Sequence, residues 1–123
     1  MVEADPRPVV VVIEDDADLR ALVCTVLEQD GLEAIPAADG ESGLAAVRAH
    51  RPVVTTVDVS LPDMDGLAVA GRLRETSTTR VLLLTGDPDV VERLEGVADD
   101  HLLKPFRPRE LRARVEALAR PAG

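Results

Sequence analysis

Residues 53–66 read VVTTVDVSLPDMDG. The run Val53 to Val57 is almost continuously apolar or β-branched and stops on a carboxylate, Asp58. A strand apolar on both faces belongs in the middle of a covered sheet, as parallel strands do. Asp63 and Asp65 read as turn residues making local contacts ahead of Gly66. A helix is expected over Gly66–Glu75, with Leu67, Ala70 and Leu73 turned inward.

The same alternation repeats on either side of this stretch. Runs at Val9–Ile13, Leu32–Pro36, Val53–Asp58, Arg80–Thr85 and His101–Lys104 give five predicted strands. Leu19, Leu22, Val23, Val26 and Leu27 share one face of a first helix, and Gly31 stops it. Asp39 is the candidate cap of a second helix over Gly40–Ala49. Asp87 and Pro88 open a fourth helix, which Gly96 closes. Pro108 opens a fifth, with Leu111, Val115 and Leu118 on one face. Arg112, Arg114 and Arg120 lie toward its C-terminus, where cations suit the helix dipole. Such a (βα)5 pattern predicts an α/β fold: a five-stranded parallel sheet with helices on both faces and right-handed crossovers. The domain is expected over residues 9–120, between tails at 1–8 and 121–123.

At 123 residues the chain fits one domain. Phe106 is the only aromatic residue, so the core must be aliphatic. No apolar run approaches the ~20 residues that span a bilayer, and Met1–Pro8 is acidic and proline-bearing, unlike a signal peptide. Cys24 has no cysteine to pair with and reads as a buried structural thiol, which points to a reducing cytoplasm. The formal charge of −9 repels phosphate backbones and anionic lipid, so this domain is not expected to bind nucleic acid or membrane by itself. A solvated acidic surface gives the same count.

In open parallel sheets the ligand site lies beyond the carboxyl ends of the strands. There the first strand is followed by Glu14, Asp15 and Asp16, while Asp58, Thr85 and Lys104 end the third, fourth and fifth. Carboxylates gathered at one rim repel, and the ways out are protonation or a hard cation held by oxygen. Two or three carboxylates, a backbone carbonyl such as that of Ser60, and water suit Mg²⁺. Carboxylate, metal, hydroxyl and ammonium together point to phosphoryl transfer onto Asp58, with Thr85 bonding the group once it arrives. Each residue alone has a plainer reading. Asp16 or Asp18 would cap a helix, and Thr85 would be ordinary strand composition. Lys104 is the only lysine, the other thirteen basic residues being arginine, which favours a need for a compact ammonium there.

Four segments, Val12–Asp16, Val57–Gly66, Leu83–Gly86 and Lys104–Phe106, resemble the signatures of bacterial response-regulator (CheY-like) receiver domains. The resemblance covers about Val9 to Arg120. It implies a cytoplasmic phosphorelay switch rather than an enzyme, phosphorylated by a partner histidine kinase. Glu14 and Asp15 match the acid pair that holds Mg²⁺, Asp58 the phospho-acceptor and Ser60 the carbonyl ligand. Thr85 matches the switch hydroxyl, beside a small Gly86, and Lys104 the lysine that contacts the phosphoryl group. The Lys104–Pro105 bond is usually cis in the family. Phosphorylation would favour a minor arrangement of the face formed by helix 4, strand 5 and helix 5. The tail is similar to receivers attached to winged-helix DNA-binding domains of the OmpR/PhoB type. There Asp100, Glu110 and Arg114 match charged positions of a homodimer face; a solvated helix surface with weak ion pairs is the other reading.

Three features depart from that pattern. His101 replaces the usual aromatic, the Thr85-to-Lys104 interval is about one helical turn short, and Gly96-Val97 interrupts a pair of small residues. A receiver acting as a docking module without phosphorylation is therefore the nearest rival. A haloacid-dehalogenase-like phosphohydrolase needs a second acid where Ser60 stands. A flavodoxin-like flavin carrier needs a phosphate-cradling loop where Glu14–Asp18 would repel one.

Overall fold

The computed structural model describes residues 7–94 and 96–120. The elements run β1 (Val9–Ile13), α1 (Ala17–Gln29), β2 (Glu33–Ala37), α2 (Gly40–His50), β3 (Val54–Asp58), α3 (Gly66–Thr76) and β4 (Arg80–Thr85). A 3₁₀ segment η1 (Pro88–Arg93), β5 (Asp100–Leu103) and α4 (Pro108–Ala119) complete the chain. All four strand pairings are parallel, in the order β2-β1-β3-β4-β5. Apart from Arg7 and Pro8, the expected tails lie outside the described residues.

Alternation along each strand divides the core in two. Val10, Val12, Leu82 and Leu84 pack with Val23 and Leu27 of α1 and with Leu111 and Val115 of α4. Val11, Ile13, Val81 and Leu83 face the other way, against Leu44 and Val47 of α2, Val69 and Leu73 of α3, and Val90 and Leu94 at η1. Leu27, Leu73 and Leu111 are fully buried, each worth about 1.5–3 kcal/mol of transfer free energy. Within β3, Thr55 Oγ1 lies 2.9 Å from Thr79 Oγ1. The neighbouring Thr56 hydroxyl is buried with no partner.

β1 and β4 have the predicted bounds, and three strands shift by one residue. β2 starts at Glu33 because the Leu32 N–H is spent on Leu27 O, closing α1, while the Glu33 N–H opens the ladder on Pro8 O. Pro36 lies inside β2, which pairs only with β1 and so forms an edge where a missing donor is tolerated. Asp16 and Asp39 cap α1 and α2, and Gly31, at φ 85°, takes the left-handed turn that ends α1.

Four expectations need correction. Leu22 does not share the buried face of α1; it is 48% exposed. The fourth helix is truncated, as the short Thr85-to-Lys104 interval implies, but it does not run to Gly96: it is six residues of 3₁₀ that stop at Arg93. Asp87 caps it as expected, accepting from Asp89 N–H, but only Val90 within it is buried, too little apolar surface to extend an α-helix. Neither Arg112 nor Arg114 reaches the last turn of α4, so the dipole argument holds only for Arg120 at its C-cap. Cys24 is half-buried against the α1/α4 core rather than fully enclosed; its thiol is held above the usual pKa by burial, with Glu28 adding and Arg20 opposing.

Candidate functional site

β1 delivers Glu14, 1% exposed, one residue beyond its end, and β3 delivers Asp58, 4% exposed, as its last residue. One carboxylate oxygen from each of Glu14, Asp15 and Asp58 lies within 4.8 Å of the others. Lys104, which follows β5, places Nζ 3.1 Å from Glu14 Oε1 and 3.1 Å from Asp58 Oδ1. Its N–H continues the ladder to Thr85 O, and its bond to Pro105 is cis. Three strand ends thus bring one ammonium onto two buried carboxylates.

That single cation does not balance the charge. Burial pushes the Glu14 carboxyl up to about 7, and hydrogen bonding and charge from Asp58 push the same way. The Asp16 N–H and the Lys104 ammonium oppose the shift without cancelling it. For Lys104, burial works against the ammonium, but its hydrogen bonds and charge interactions with Glu14 and Asp58 outweigh that and hold its pKa above the lysine norm. A second cation would relieve the excess. Ligand oxygens on one octahedral Mg²⁺ lie about 3–4 Å apart, and these three carboxylates already gather an oxygen each within 4.8 Å. The donor set is all oxygen, as a hard ion requires.

The other expected residues are placed differently from one another. Ser60 donates its backbone N–H to Asp58 Oδ1 at 3.3 Å. Thr85 ends β4, buried, but its hydroxyl accepts from Asp87 N–H at 3.0 Å and so serves its own turn. A side chain at Gly86 would meet nothing within 4 Å, so the rim is open there. Gly66 packs against the Asp58 carbonyl and Val59 Cα, leaving no room for a Cβ. Asp100 and Arg114 pair with each other at 2.8 Å, and Arg114 also bonds His101 O. Glu110 accepts from Arg107 N–H to cap α4, so these three surface charges have partners inside the chain.

Three contributors were not legible in the sequence. Arg20 reaches back from α1 to donate Nη1 to Glu14 O (2.9 Å) and Asp15 O (3.3 Å), fixing the acid loop. Asp63 does more than make the local turn contacts expected of it, with its own and Met64's backbone. It accepts from Gly40 N–H (2.8 Å) and Glu41 N–H (3.0 Å), tying the β3–α3 loop to the start of α2. Those bonds hold its carboxyl below the usual range. Asp99 accepts from Val81 N–H at 2.7 Å and pairs with Arg74 and Arg80, locking the approach to β5. Asp63 and Asp99 bond partners 18 or more residues away, and Arg20 reaches back to backbone oxygens five and six residues earlier; periodicity carries no signal for either kind of contact.

Residues 10–116 match the family described as response regulator receiver domain. The DNA-binding response regulator MtrA of Mycobacterium tuberculosis is 39% identical over 117 residues, 93% of this chain and 51% of that protein. The chain spans about half the length of the curated relatives it matches. Among solved structures, chemotaxis protein CheY4 of Vibrio cholerae superposes with a TM-score of 0.85 at 29% identity, covering 92% of this chain and 99% of that one. The response regulator TrrA of Thermotoga maritima, in complex with Mg²⁺ and BeF, gives 0.84 at 27% identity, over 90% and 98% of the two chains. Strand order, rim chemistry and these matches agree: the chain belongs to the response regulator receiver domains of two-component signalling.

Proposed function

We propose that Asp58 is the residue that accepts a phosphoryl group, passed from a phosphohistidine of a sensor kinase, within a folded unit spanning residues 9–120. The observation that carries this reading is the shared ammonium: Lys104 Nζ sits 3.1 Å from both Asp58 and Glu14. Glu14, Asp15, Asp58 and the Ser60 carbonyl would hold Mg²⁺. When bound, the ion neutralises charge on the phosphoryl oxygens and takes the place of the proton on Glu14. Asp58 attacks phosphorus in line, and the kinase imidazole leaves with the electron pair of the broken P–N bond. Lys104 moves from its carboxylates toward the new phosphoryl oxygens. Thr85 exchanges its bond to the Asp87 N–H for one to the same group. That exchange frees the η1 turn and shifts the η1/β5/α4 face, where Asp100, His101, Glu110 and Arg114 lie, toward an arrangement that favours a homodimer. The likeness to DNA-binding response regulators supports transcriptional control as the output and the cytoplasm as the compartment. No helix among the described residues is long and apolar enough to cross a membrane.

Incubation with Mg²⁺ and a small acyl-phosphate donor, read by intact-protein mass spectrometry, tests this. The expected result is one labile phosphoryl adduct, absent in Asp58→Asn and absent without Mg²⁺. A second reading, a docking module independent of phosphorylation, draws on the six-residue η1 and on His101 in place of an aromatic. No adduct from any donor or kinase would decide for it.

A further inference from the structure

The rim that holds Asp58 is acidic, and the opposite end of the sheet is not. Between the C-terminal turns of α2 and α3 lies a cleft of about 770 Å³, a volume usual for small-ligand sites. It opens beside the residues that lead into β3 and β4, whereas Asp58 and Thr85 end those strands, about 15–20 Å away by strand rise. Leu44, Val47 and Leu73 form an aliphatic floor. Arg48, Arg51 and Arg72 line the cleft against one carboxylate, Glu75.

Three observations bear on what these arginines do. The chain carries a formal charge of −9, yet this cleft has a positive excess. Among the described residues Arg48, Arg51 and Arg72 form no ion pair within 4 Å, a condition they share with Arg20, Arg93, Arg107, Arg109, Arg112 and Arg120, so no carboxylate already occupies their guanidinium groups although Glu75 shares the cleft. Arg51 is also the only non-glycine residue with positive φ among those described, at 46°, and it forms the C-cap of α2. Glycine would take that conformation without strain, as Gly31 does after α1. Strain of this kind is kept where the side chain has a use. The dipole of α2 accounts for the charge of Arg48 in its last turn and of Arg51 at its C-cap, but not for Arg72 within α3.

We propose that this cleft binds a ligand carrying two or more linked phosphates, held by the guanidinium forks, whose geometry suits phosphate oxygens. A nucleotide and an inorganic polyphosphate share that chemistry. Titrating the full chain in magnesium-free buffer with pyrophosphate, ADP and adenosine, followed by amide NMR shifts, separates them. Saturable shifts over residues 47–52 and 72–78 are expected with pyrophosphate and ADP, and none with adenosine. Tighter binding of ADP than of pyrophosphate assigns the site to a nucleotide; equal binding assigns it to the inorganic anion. Arg48→Gln and Arg72→Gln are each expected to weaken binding about tenfold, and Glu75→Gln to strengthen it. Arg51→Gly is expected to weaken binding while leaving the melting temperature unchanged or higher, which a merely structural arginine would not do. Shifts that fail to saturate by about 10 mM probe, or that survive the arginine substitutions, overturn the proposal.

Discussion

The two ends of β5 differ in how strictly their residues are held. Beyond its C-terminal end, Lys104 is bound to two buried carboxylates, and Arg20 and Ser60 brace the backbone and side chain those carboxylates come from. Before its N-terminal end, the chain from Pro88 to Asp99 holds six residues of 3₁₀, with Val90 and Leu94 buried beneath them. The first region is over-determined by charge; the second rests on buried Val90 and Leu94, partly buried Val91, Val97 and Ala98, and the Asp99 carboxylate. The proposed chemistry, which needs fixed distances, falls in the more heavily bonded region, and the segment proposed to shift is the more weakly anchored one.

The largest expected effect comes from removing the cation that both strands share. Lys104→Met should lower the rate of Asp58 phosphorylation by a hundred- to a thousandfold, about 3–4 kcal/mol of transition-state stabilisation. A rate within tenfold of the parent would show that the pocket does not depend on its lysine.

The next effect is a pH dependence of the rigid region. Folded Glu14 keeps its proton to about pH 7, against an ordinary value of 4.5. The protonated form therefore favours the fold. That contribution is fully present below about pH 4.5 and is lost as pH rises toward 7, on the order of 3 kcal/mol at most. Urea denaturation from pH 4.5 to 7.5 should show this decline without divalent cation. Mg²⁺ should flatten it, since the ion replaces the proton. An identical slope with and without Mg²⁺ would argue that Glu14 is not a ligand.

In the weakly anchored region, Leu94→Ala should cost about 2 kcal/mol and speed amide exchange over Pro88–Leu94. Phosphorylation rate should stay unchanged. If the rate falls as well, the two regions are one cooperative unit and the contrast fails. The smallest effect belongs to the exposed pair: Asp100→Asn should change stability by under about 1 kcal/mol. Sedimentation of the phosphorylated protein would then show whether that carboxylate serves a dimer instead.

The central strands could be read from local pattern because apolar runs buried on both faces have no competing structure. The rim followed from the strand ends, since Glu14, Asp58, Thr85 and Lys104 each stand at or next to one. Side chains that bond backbone groups outside their own helix or turn could not be read this way. Arg20 looks like any polar helix position, and Asp63 like any turn aspartate. The short Thr85-to-Lys104 interval signals a truncated fourth helix, but not its end at Arg93, because a cap and a proline mark a start without saying how much apolar surface follows to sustain it.

Pro36 carries a consequence for how copies of this domain meet. It interrupts the donors along one free margin of the sheet, and the strand at the other margin, β5, has only four residues. Neither margin offers a long template for main-chain pairing with a neighbour, so runaway cross-strand stacking is disfavoured at high concentration. Any pairing of two copies must then be built from side chains, which a single modification can make or undo.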